Sequence, residues 1–300
     1  MSAHPASAPE RGPASSRPLA GLFWRVRSLR IGSLLAMPLA WLGIVYLGSL
    51  VVLLITAFWT LDDFTGLIVK GFSLSNFETI FTEPVYRRIV LRTVSIAALV
   101  TVTDILLAFP IAFFMARVAS RSSKALLVVA VLTPLWASYL VKVYSWRTML
   151  STDGVINWFL DPIGLSVPTS GYFRVWIVMS YLWLPYMILP LYAGLERIQD
   201  SLLDASGDLG ARPWRTFRSV VLPLANPAIV AGSIFTFSLT LGDYITPQLV
   251  SNTQFIGNVV YANVGIANNL PLASAFATVP VVIMLVYLLI ARRLGAFEAL

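Results

Sequence analysis

The chain has 300 residues, of which 58% are hydrophobic and only 12% are charged, and its formal net charge is +7. A soluble domain carries about 25% charged residues, so the composition excludes an ordinary soluble protein and favours one that crosses a membrane several times. The lack of cysteine excludes disulfides and thiolate metal sites, and the single histidine, His4, lies in a leader rich in alanine, proline and serine.

Residues 1–33 combine proline, alanine and serine with several arginines, which is typical of a disordered basic tail on the cytoplasmic side of a membrane. An apolar run follows at about residues 34–60. A cleavable signal peptide is the alternative, but the run is too long for the apolar core of such a peptide and has no clear small-residue cleavage site. We therefore predict an uncleaved first span.

Six apolar runs are near or above the roughly 20 residues needed to cross about 30 Å of hydrocarbon. They cover about residues 34–60, 89–116, 125–146, 173–195, 224–250 and 272–291. With the N-terminus inside, about two thirds of the 21 Lys and Arg residues fall in cytoplasmic segments, as the positive-inside rule requires. We predict an all-α membrane protein with six transmembrane helices within 34–295 and both termini in the cytoplasm.

A polar, basic loop at 198–223 separates the fourth and fifth spans. Its first part, 202–209, has the apolar spacing of a short helix. Gly210 can end that helix in a left-handed conformation, and Pro213 suits the first turn of a second helix. The loop is therefore predicted to form a helix, a glycine break and a second helix.

The second helix of this loop carries Trp214 and Phe217 and is predicted to close at Leu222-Pro223, at the membrane surface. A surface loop that packs on nothing is the alternative. The ordered breaks and the exposed aromatic residues favour a knob that docks on another protein.

Two acidic residues fall inside predicted spans, Asp104 in the second and Asp243 in the fifth. A charge at the centre of a bilayer costs about 2.5–3.5 kcal/mol on insertion scales, so such a group usually faces a cavity or a partner. In the functional interpretation they line a path for a cationic solute, with Tyr244 and Tyr186 supplying cation–π contacts. In the structural alternative Asp243 bonds a neighbouring helix and Asp104 caps a distortion near Pro110.

Small residues recur along the fifth span at Ala228, Gly232, Ser238 and Gly242, a spacing that lets another helix approach closely. We expect this face to pack within the bundle or against a second subunit.

No phosphate-binding loop, metal-ligand spacing or catalytic triad is present, so the chain is predicted to be neither an enzyme nor a cofactor or metal protein. Its net positive charge is explained by Lys and Arg in cytoplasmic loops, so the charge does not indicate a nucleic-acid partner.

The loop at 198–223 resembles the EAA loop of permease subunits of bacterial ATP-binding-cassette importers. That motif runs Glu-Ala-Ala, three residues, Gly, nine residues, Ile, any residue, Leu-Pro. Its positions fall here on Asp204, Ala205, Ser206, Gly210, Val220, Leu222 and Pro223. The departures from the motif are Asp204, Ser206 and Val220. The resemblance implies that this elbow, with Pro213 and Trp214, lies in a groove of an ATPase subunit and passes nucleotide-driven motion to the spans.

The likeness covers about residues 35–295, and V-Y-S-W-R at 143–147, D-G-V-I-N at 153–157 and L-G-D-Y-I-T-P at 241–247 are similar to the spermidine/putrescine permease branch. It implies a type I importer permease in the bacterial inner membrane that works by alternating access. The implied partners are ATPase subunits that bind ATP and Mg, a second permease subunit, identical or homologous, and a periplasmic solute-binding protein that docks on the outer segments 61–88 and 151–171.

Three alternatives remain at this point. Permeases for iron, sulfate, phosphonate or thiamine share much of the same scaffold. A stand-alone secondary transporter predicts internal inverted repeats and leaves the elbow unexplained. A purely structural membrane scaffold leaves Asp104 and Asp243 unexplained.

Overall fold

The computed structural model describes residues 35–62, 64–168 and 170–293, so the predicted tail at 1–33 and the end of the chain lie outside the described residues. In chain order the helices are α1 (Leu35–Thr56), α2 (Ser75–Thr82), α3 (Pro84–Val118), α4 (Arg121–Trp136), α5 (Tyr139–Met149), α6 (Val155–Leu160), α7 (Gly171–Glu196), α8 (Asp200–Asp208), α9 (Pro213–Gly242), α10 (Ile245–Val250), α11 (Ile256–Gly265) and α12 (Leu270–Arg293). A short hairpin pairs β1 (Thr60–Leu61) with β2 (Ile68–Val69) in antiparallel register, Thr60 opposite Val69.

Within the described residues, five helices are long and apolar enough to cross a membrane, and a bent pair of helices brings the number to six. This confirms the predicted all-α membrane protein. Helices α1, α3, α7 and α12 overlap the predicted first, second, fourth and sixth spans. The chain comprises two compact units, one ending at Leu53 and one beginning at Leu54.

Helices α3, α7 and α9 form the core of the larger unit, and each packs against the other two. Apolar side chains from all three meet in the half of the core that lies nearest the polar loop. The buried members of this layer include Ala108, Ala112 and Met115 of α3, Met187, Leu191 and Leu195 of α7, and Val221 and Ala225 of α9. Close van der Waals packing along this apolar stripe stabilises the arrangement of the three helices.

Small residues let α7 and α9 approach closely. A Cβ atom placed on Gly194 would lie 2.3 Å from the Cβ of Ala228, and one placed on Gly232 would lie 2.6 Å from the sulfur of Met187. Ala228 and Gly232 therefore pack against α7 of the same chain. The sequence left open whether they pack within the bundle or against a second subunit, and the structure shows the first. A Cβ on Gly242 would meet nothing within 4 Å. The row of small residues is therefore closely packed at Ala228 and Gly232 and open at Gly242.

The predicted third span, 125–146, is not a single straight helix. It is divided into α4 and α5, which meet at 92°. The break follows Pro134, and Ala137 takes an extended conformation with ψ of 142°. The Nζ atom of Lys142 donates to the carbonyl of Pro134 at 3.0 Å, and so satisfies a backbone group that the broken helix no longer bonds.

The predicted fifth span, 224–250, differs from the structure at both ends. The second helix of the polar loop does not close at Leu222-Pro223 but continues into the span through a π-helical turn, Phe217–Val221. Proline removes one backbone hydrogen bond and crowds the preceding turn, and a π-type turn is a common way for a helix to absorb such a disruption. At the other end α9 stops at Gly242, so Asp243 lies at a break between α9 and α10 and not inside a span.

Replacing Gly194 with valine is expected to destabilise the core, because its side chain would overlap Ala228. Overpacking of this kind costs about 1–3 kcal/mol, so the thermal unfolding midpoint of the purified chain in detergent should fall. Gly265→Ala is the matched control, since a Cβ there meets nothing within 4 Å. An unchanged midpoint for Gly194→Val would contradict the close approach of α7 and α9.

Candidate functional site

The polar loop between α7 and α9 forms the predicted elbow of two helical limbs. The first limb is α8, and Gly210 follows it with φ of +75°, a conformation that residues with a Cβ adopt at a cost. The amide of Gly210 donates to the carbonyl of Gly207 at 2.8 Å, and the amide of Ala211 to that of Ser206 at 3.1 Å. Pro213 then begins α9, whose first turns form the second limb.

Side chains tie the two limbs to each other and to the core. The hydroxyl groups of Ser206 and Thr216 lie 2.8 Å apart across the elbow. Trp214 stacks on Phe217 with ring centroids 5.4 Å apart, and Phe217 packs edge-on against Phe109 of α3 at 5.3 Å. The second limb is therefore fixed against α3 as well as being continuous with α9.

The residues predicted to couple the elbow to a partner divide into an exposed and an internal set. The exposed residues are Asp204, Ala205, Gly210, Pro213, Trp214, Leu222 and Pro223. Ser206 and Val220 are half-buried and support the elbow from within. Trp214 is 70% exposed despite its stacking, and such a large exposed aromatic surface is typical of a docking site.

Arg117, at the end of α3, binds the start of the elbow, a contact that no pattern in the sequence indicates. Its Nη1 atom lies 2.6 Å from Oδ1 of Asp200, the first residue of α8. Its Nη2 atom donates to the carbonyl of Leu195 at 2.7 Å and also to the carbonyl of Ile198. The basic character of residues 117–124 predicted only their side of the membrane, because charge does not specify a partner about 80 residues away.

Lys124 makes a second, weaker connection on the same side of the molecule. Its Nζ atom donates to the carbonyl of Ala116 at 2.9 Å and lies 3.5 Å from Oε1 of Glu196. Both side chains of this ion pair are partly exposed, and exposed pairs contribute little to stability.

One face of the α7–α9 pair carries two concave regions. A cavity of about 350 Å³ lies at the end remote from the elbow, and its lining includes Tyr139, Trp183, Ser238, Gly242, Asp243 and Tyr244. A groove of about 530 Å³ lies at the elbow end, and its lining includes Pro190, Gly194, Arg197, Pro227, Ala231 and Ile234. We call these the outer cavity and the inner groove.

Helical spacing places the outer cavity and the inner groove on the same face. Along α7 and just past its end, the lining residues Trp183, Pro190, Gly194 and Arg197 follow one another at steps of seven, four and three residues. Along α9 the steps between Pro227, Ala231, Ile234, Ser238 and Gly242 are three or four residues. Tyr186 lies between the two regions, with its ring centroid 5.9 Å from that of Trp183. A continuous strip of half-exposed side chains therefore runs from one end of the pair to the other.

Asp243 lies in the wall of the outer cavity. Its Oδ1 atom accepts from the backbone amides of Ile245 and Thr246 at 3.0 and 3.1 Å, so the carboxylate caps the start of α10. Its Oδ2 atom accepts from the hydroxyls of Tyr139 and Thr246 at 2.7 and 2.6 Å. Asp243 is 8% exposed, and within the described residues no Lys or Arg forms an ion pair with it.

Aromatic rings surround this carboxylate. Tyr139 stacks near Trp183 with centroids 6.1 Å apart, and Tyr244 stacks on Tyr261 of α11 at 5.1 Å. The side chain of Asn258 donates to the carbonyl of Tyr244 at 2.7 Å and so fixes the backbone of the break. A buried carboxylate within aromatic walls is chemically suited to an organic cation.

Asp104 lies behind the α7–α9 face and not on it. It is fully buried in α3, and neither carboxylate oxygen has a hydrogen-bond partner among the described residues. The buried hydroxyls of Ser180 in α7 and Thr236 in α9 are likewise unpaired there. The carboxyl group thus faces the packed three-helix core, and it makes no hydrogen bond that would cap a distortion near Pro110.

Comparison with known proteins gives one family and several relatives. Residues 89–297 match the family described as the inner membrane component of binding-protein-dependent transport systems. The chain is 49% identical over 299 residues to the inner membrane ABC transporter permease protein YdcU of Escherichia coli (strain K12), covering 94% of this chain and 95% of the relative. It is 30% identical over 264 residues to the spermidine/putrescine transport system permease protein PotB of Haemophilus influenzae, covering 86% and 91%.

Solved structures share the fold. A chain of a bacterial alginate ABC transporter in complex with an alginate pentasaccharide-bound periplasmic protein matches with a TM-score of 0.71 at 18% identity, covering 93% of this chain and 97% of that one. A chain of an amino acid ABC transporter with histidines matches with a TM-score of 0.50 at 15% identity, covering 74% and 97%. At these identities the likeness concerns the fold alone.

Asp243→Ala is expected to destabilise the outer cavity by about 1–3 kcal/mol, because two amides and two hydroxyls lose their acceptor. The free energy of unfolding of Asp243→Asn should stay within about 1 kcal/mol of the wild-type value. The amide oxygen of asparagine can still accept from the two backbone amides, and its nitrogen can donate to the two hydroxyls. Thermal unfolding in detergent measures both, with Ser238→Ala at the cavity wall as a control. Equal midpoints for the alanine and asparagine variants would contradict the capping role.

Proposed function

Since the chain belongs to the family of inner membrane components of binding-protein-dependent transport systems and is a permease subunit of an ABC importer, we propose that it translocates polyamines delivered by a periplasmic solute-binding protein. The observation that carries the proposal is the outer cavity, where Asp243 is hydrogen-bonded and forms no ion pair with any Lys or Arg of the described residues. The spermidine/putrescine relative, at 30% identity, supports the same class of solute.

The solute path runs along the α7–α9 face from the outer cavity to the inner groove. Asp243 attracts ammonium groups, and Tyr244 and Tyr186 offer aromatic faces at successive depths. Asp104 lies one layer behind this path and reaches it only when the core helices part. An open strip on one chain encloses no channel, so a second permease subunit, identical or homologous, closes the path from the other side.

The elbow couples this path to ATP hydrolysis by partner ATPase subunits, which bind ATP and Mg. The exposed residues Asp204, Ala205 and Trp214 form its docking surface. Because the second limb and α9 are one continuous helix, displacement of the elbow moves the whole α7–α9 face, including Asp243 at its far end. This gives alternating access with the elbow on the cytoplasmic side and both termini in the cytoplasm.

The segments at the opposite end receive the solute-binding protein. Segment 61–88 contains the exposed apolar side chains Phe64, Leu67 and Phe72. In segment 151–171 a turn at Asp153-Gly154 leads into α6. The alginate transporter, whose structure includes a periplasmic protein, has the same fold and supports this type of partner.

Replacing Gly210 with proline is expected to abolish solute uptake, because proline fixes φ near −65° where the elbow requires +75°. The chain is reconstituted with its co-purified ATPase, and uptake and retention of the ATPase are measured. Gly207→Ala is the control, since a Cβ there meets nothing within 4 Å. Uptake that needs no ATPase and is unaffected by Gly210→Pro would instead indicate a stand-alone transporter.

Asp243→Asn is expected to reduce polyamine uptake about tenfold, equivalent to about 1.4 kcal/mol of lost attraction, while the ATPase remains bound. Uptake of labelled spermidine or putrescine into proteoliposomes is measured, with Ser238→Ala as the control at the same cavity. Unchanged uptake would restrict Asp243 to capping α10. Preference of the associated solute-binding protein for sulfate, phosphonate, iron or thiamine would replace the polyamine proposal with that solute.

A further inference from the structure

Arg117 directs its guanidinium group entirely towards the joint between α7 and the elbow. It lies in the π-helical turn Phe114–Val118 that ends α3, and its side chain is 14% exposed. Its three acceptors are the carbonyls of Leu195 and Ile198 and the carboxylate of Asp200. One side chain therefore binds both sides of the turn that connects α7 to α8.

The chemistry of this contact suits a rigid connection. The last carbonyls of a helix have no partner within the helix and lie at the negative end of its dipole. A guanidinium presents several donors in a fixed plane, and its bonds to carbonyls and carboxylates are charge-assisted. Arg117 thus satisfies the end of α7 and holds the first residue of α8 in the same geometry.

The two limbs of the elbow are connected to the spans in different ways. The second limb continues into α9 without a break. The first limb, α8, contacts the second limb through Ser206 and packs Leu203 against the core, but it joins α7 through the turn at 197–199, which has no regular structure of its own. Without a further connection on this side the turn could bend when α8 is displaced, and less of the displacement would reach α7 and α3. Arg117 supplies that connection to α3.

Helix α3 extends from this contact to the opposite end of the protein. There the Nη1 atom of Arg92 donates to the carbonyl of Gln254 at 3.1 Å, and the hydroxyl of Thr93 accepts from the amide of Ile256 at 3.1 Å. The guanidinium of Arg92 also lies over the ring of Tyr172 at 5.1 Å. A single helix therefore connects the elbow to the outer segment at 254–256.

We propose that Arg117 is a positioning residue that fixes α8 relative to α7 and transmits displacement of the elbow to α3. The proposal rests on coupling of the elbow to an ATPase. Lys124 does not share this role, because its ion pair with Glu196 is longer, at 3.5 Å against 2.6 Å, and does not contact α8.

The experiment uses the complete transporter, with ATPase, partner permease and solute-binding protein, in proteoliposomes. Arg117→Gln is expected to retain the ATPase and its hydrolysis while solute uptake per ATP hydrolysed falls about fivefold or more, the lower end of typical couplings between sites. Arg117→Lys should restore part of this ratio, since it keeps the charge and two or three donors. Lys124→Gln, in the first turns of the following helix α4, is the matched control and should leave the ratio unchanged.

A distance measurement makes the test independent of uptake. The chain has no cysteine, so two cysteines introduced at the exposed positions Val118 and Ser201 can carry spin labels. Arg117→Gln should broaden the distribution of distances between the labels, and Lys124→Gln should not.

Three results would overturn the proposal: an unchanged ratio of uptake to hydrolysis in Arg117→Gln, an unchanged distance distribution, or loss of the folded complex in both Arg117→Gln and Arg117→Lys. Uptake by the wild-type complex that proceeds without the ATPase would contradict the proposed function itself. Measuring ATPase-dependent uptake by the wild-type complex therefore distinguishes failure of the Arg117 proposal from failure of the proposed function.

Discussion

The close contact between α7 and α9 is the constraint on which the rest of the structure depends. Gly194 against Ala228 and Gly232 against Met187 leave no room for larger side chains between the two helices. Because lipid is as apolar as a leucine side chain, such close packing, and not exclusion from water, holds membrane helices together. The same contact aligns the half-exposed residues of both helices into the strip that joins the inner groove to the outer cavity.

A second consequence follows from the continuity of α9. The helix contains 30 residues, from Pro213 in the elbow to Gly242 beside the outer cavity, so it spans about 45 Å at 1.5 Å per residue. Its π-helical turn keeps the chain helical past Pro223 where a proline would otherwise kink or end it. The exposed elbow and the outer cavity thus lie at opposite ends of one continuous helix, and α3 provides a parallel connection through Phe109 and Arg117.

Local signals in the sequence predicted the elements that depend on local physics. Gly210 and Pro213 determined the shape of the elbow because each restricts its own backbone. Length and hydropathy predicted the spans, but they did not reveal that α4 and α5 meet at 92°, since an apolar run has the same composition whether straight or bent. Arg117 was beyond prediction for another reason: its acceptors are mostly backbone carbonyls, which every residue has. Asp243 was expected inside a helix, and its position at a break depends on the cap that it forms itself.

This cap does not exclude Asp243 from binding a cation. The four groups that bond its carboxylate are two amides and two hydroxyls, all of them neutral. Neutral donors carry no net charge that would cancel the charge of a carboxylate, whereas an ion pair with Lys or Arg would cancel it. The network therefore holds the carboxyl group of Asp243 at the wall of a cavity of about 350 Å³ lined in part by aromatic rings, surroundings in which electrostatic attraction is stronger than in water. The structural and the functional interpretations of Asp243 are therefore compatible, because the hydrogen bonds that cap α10 also orient the carboxyl group that we propose the solute meets.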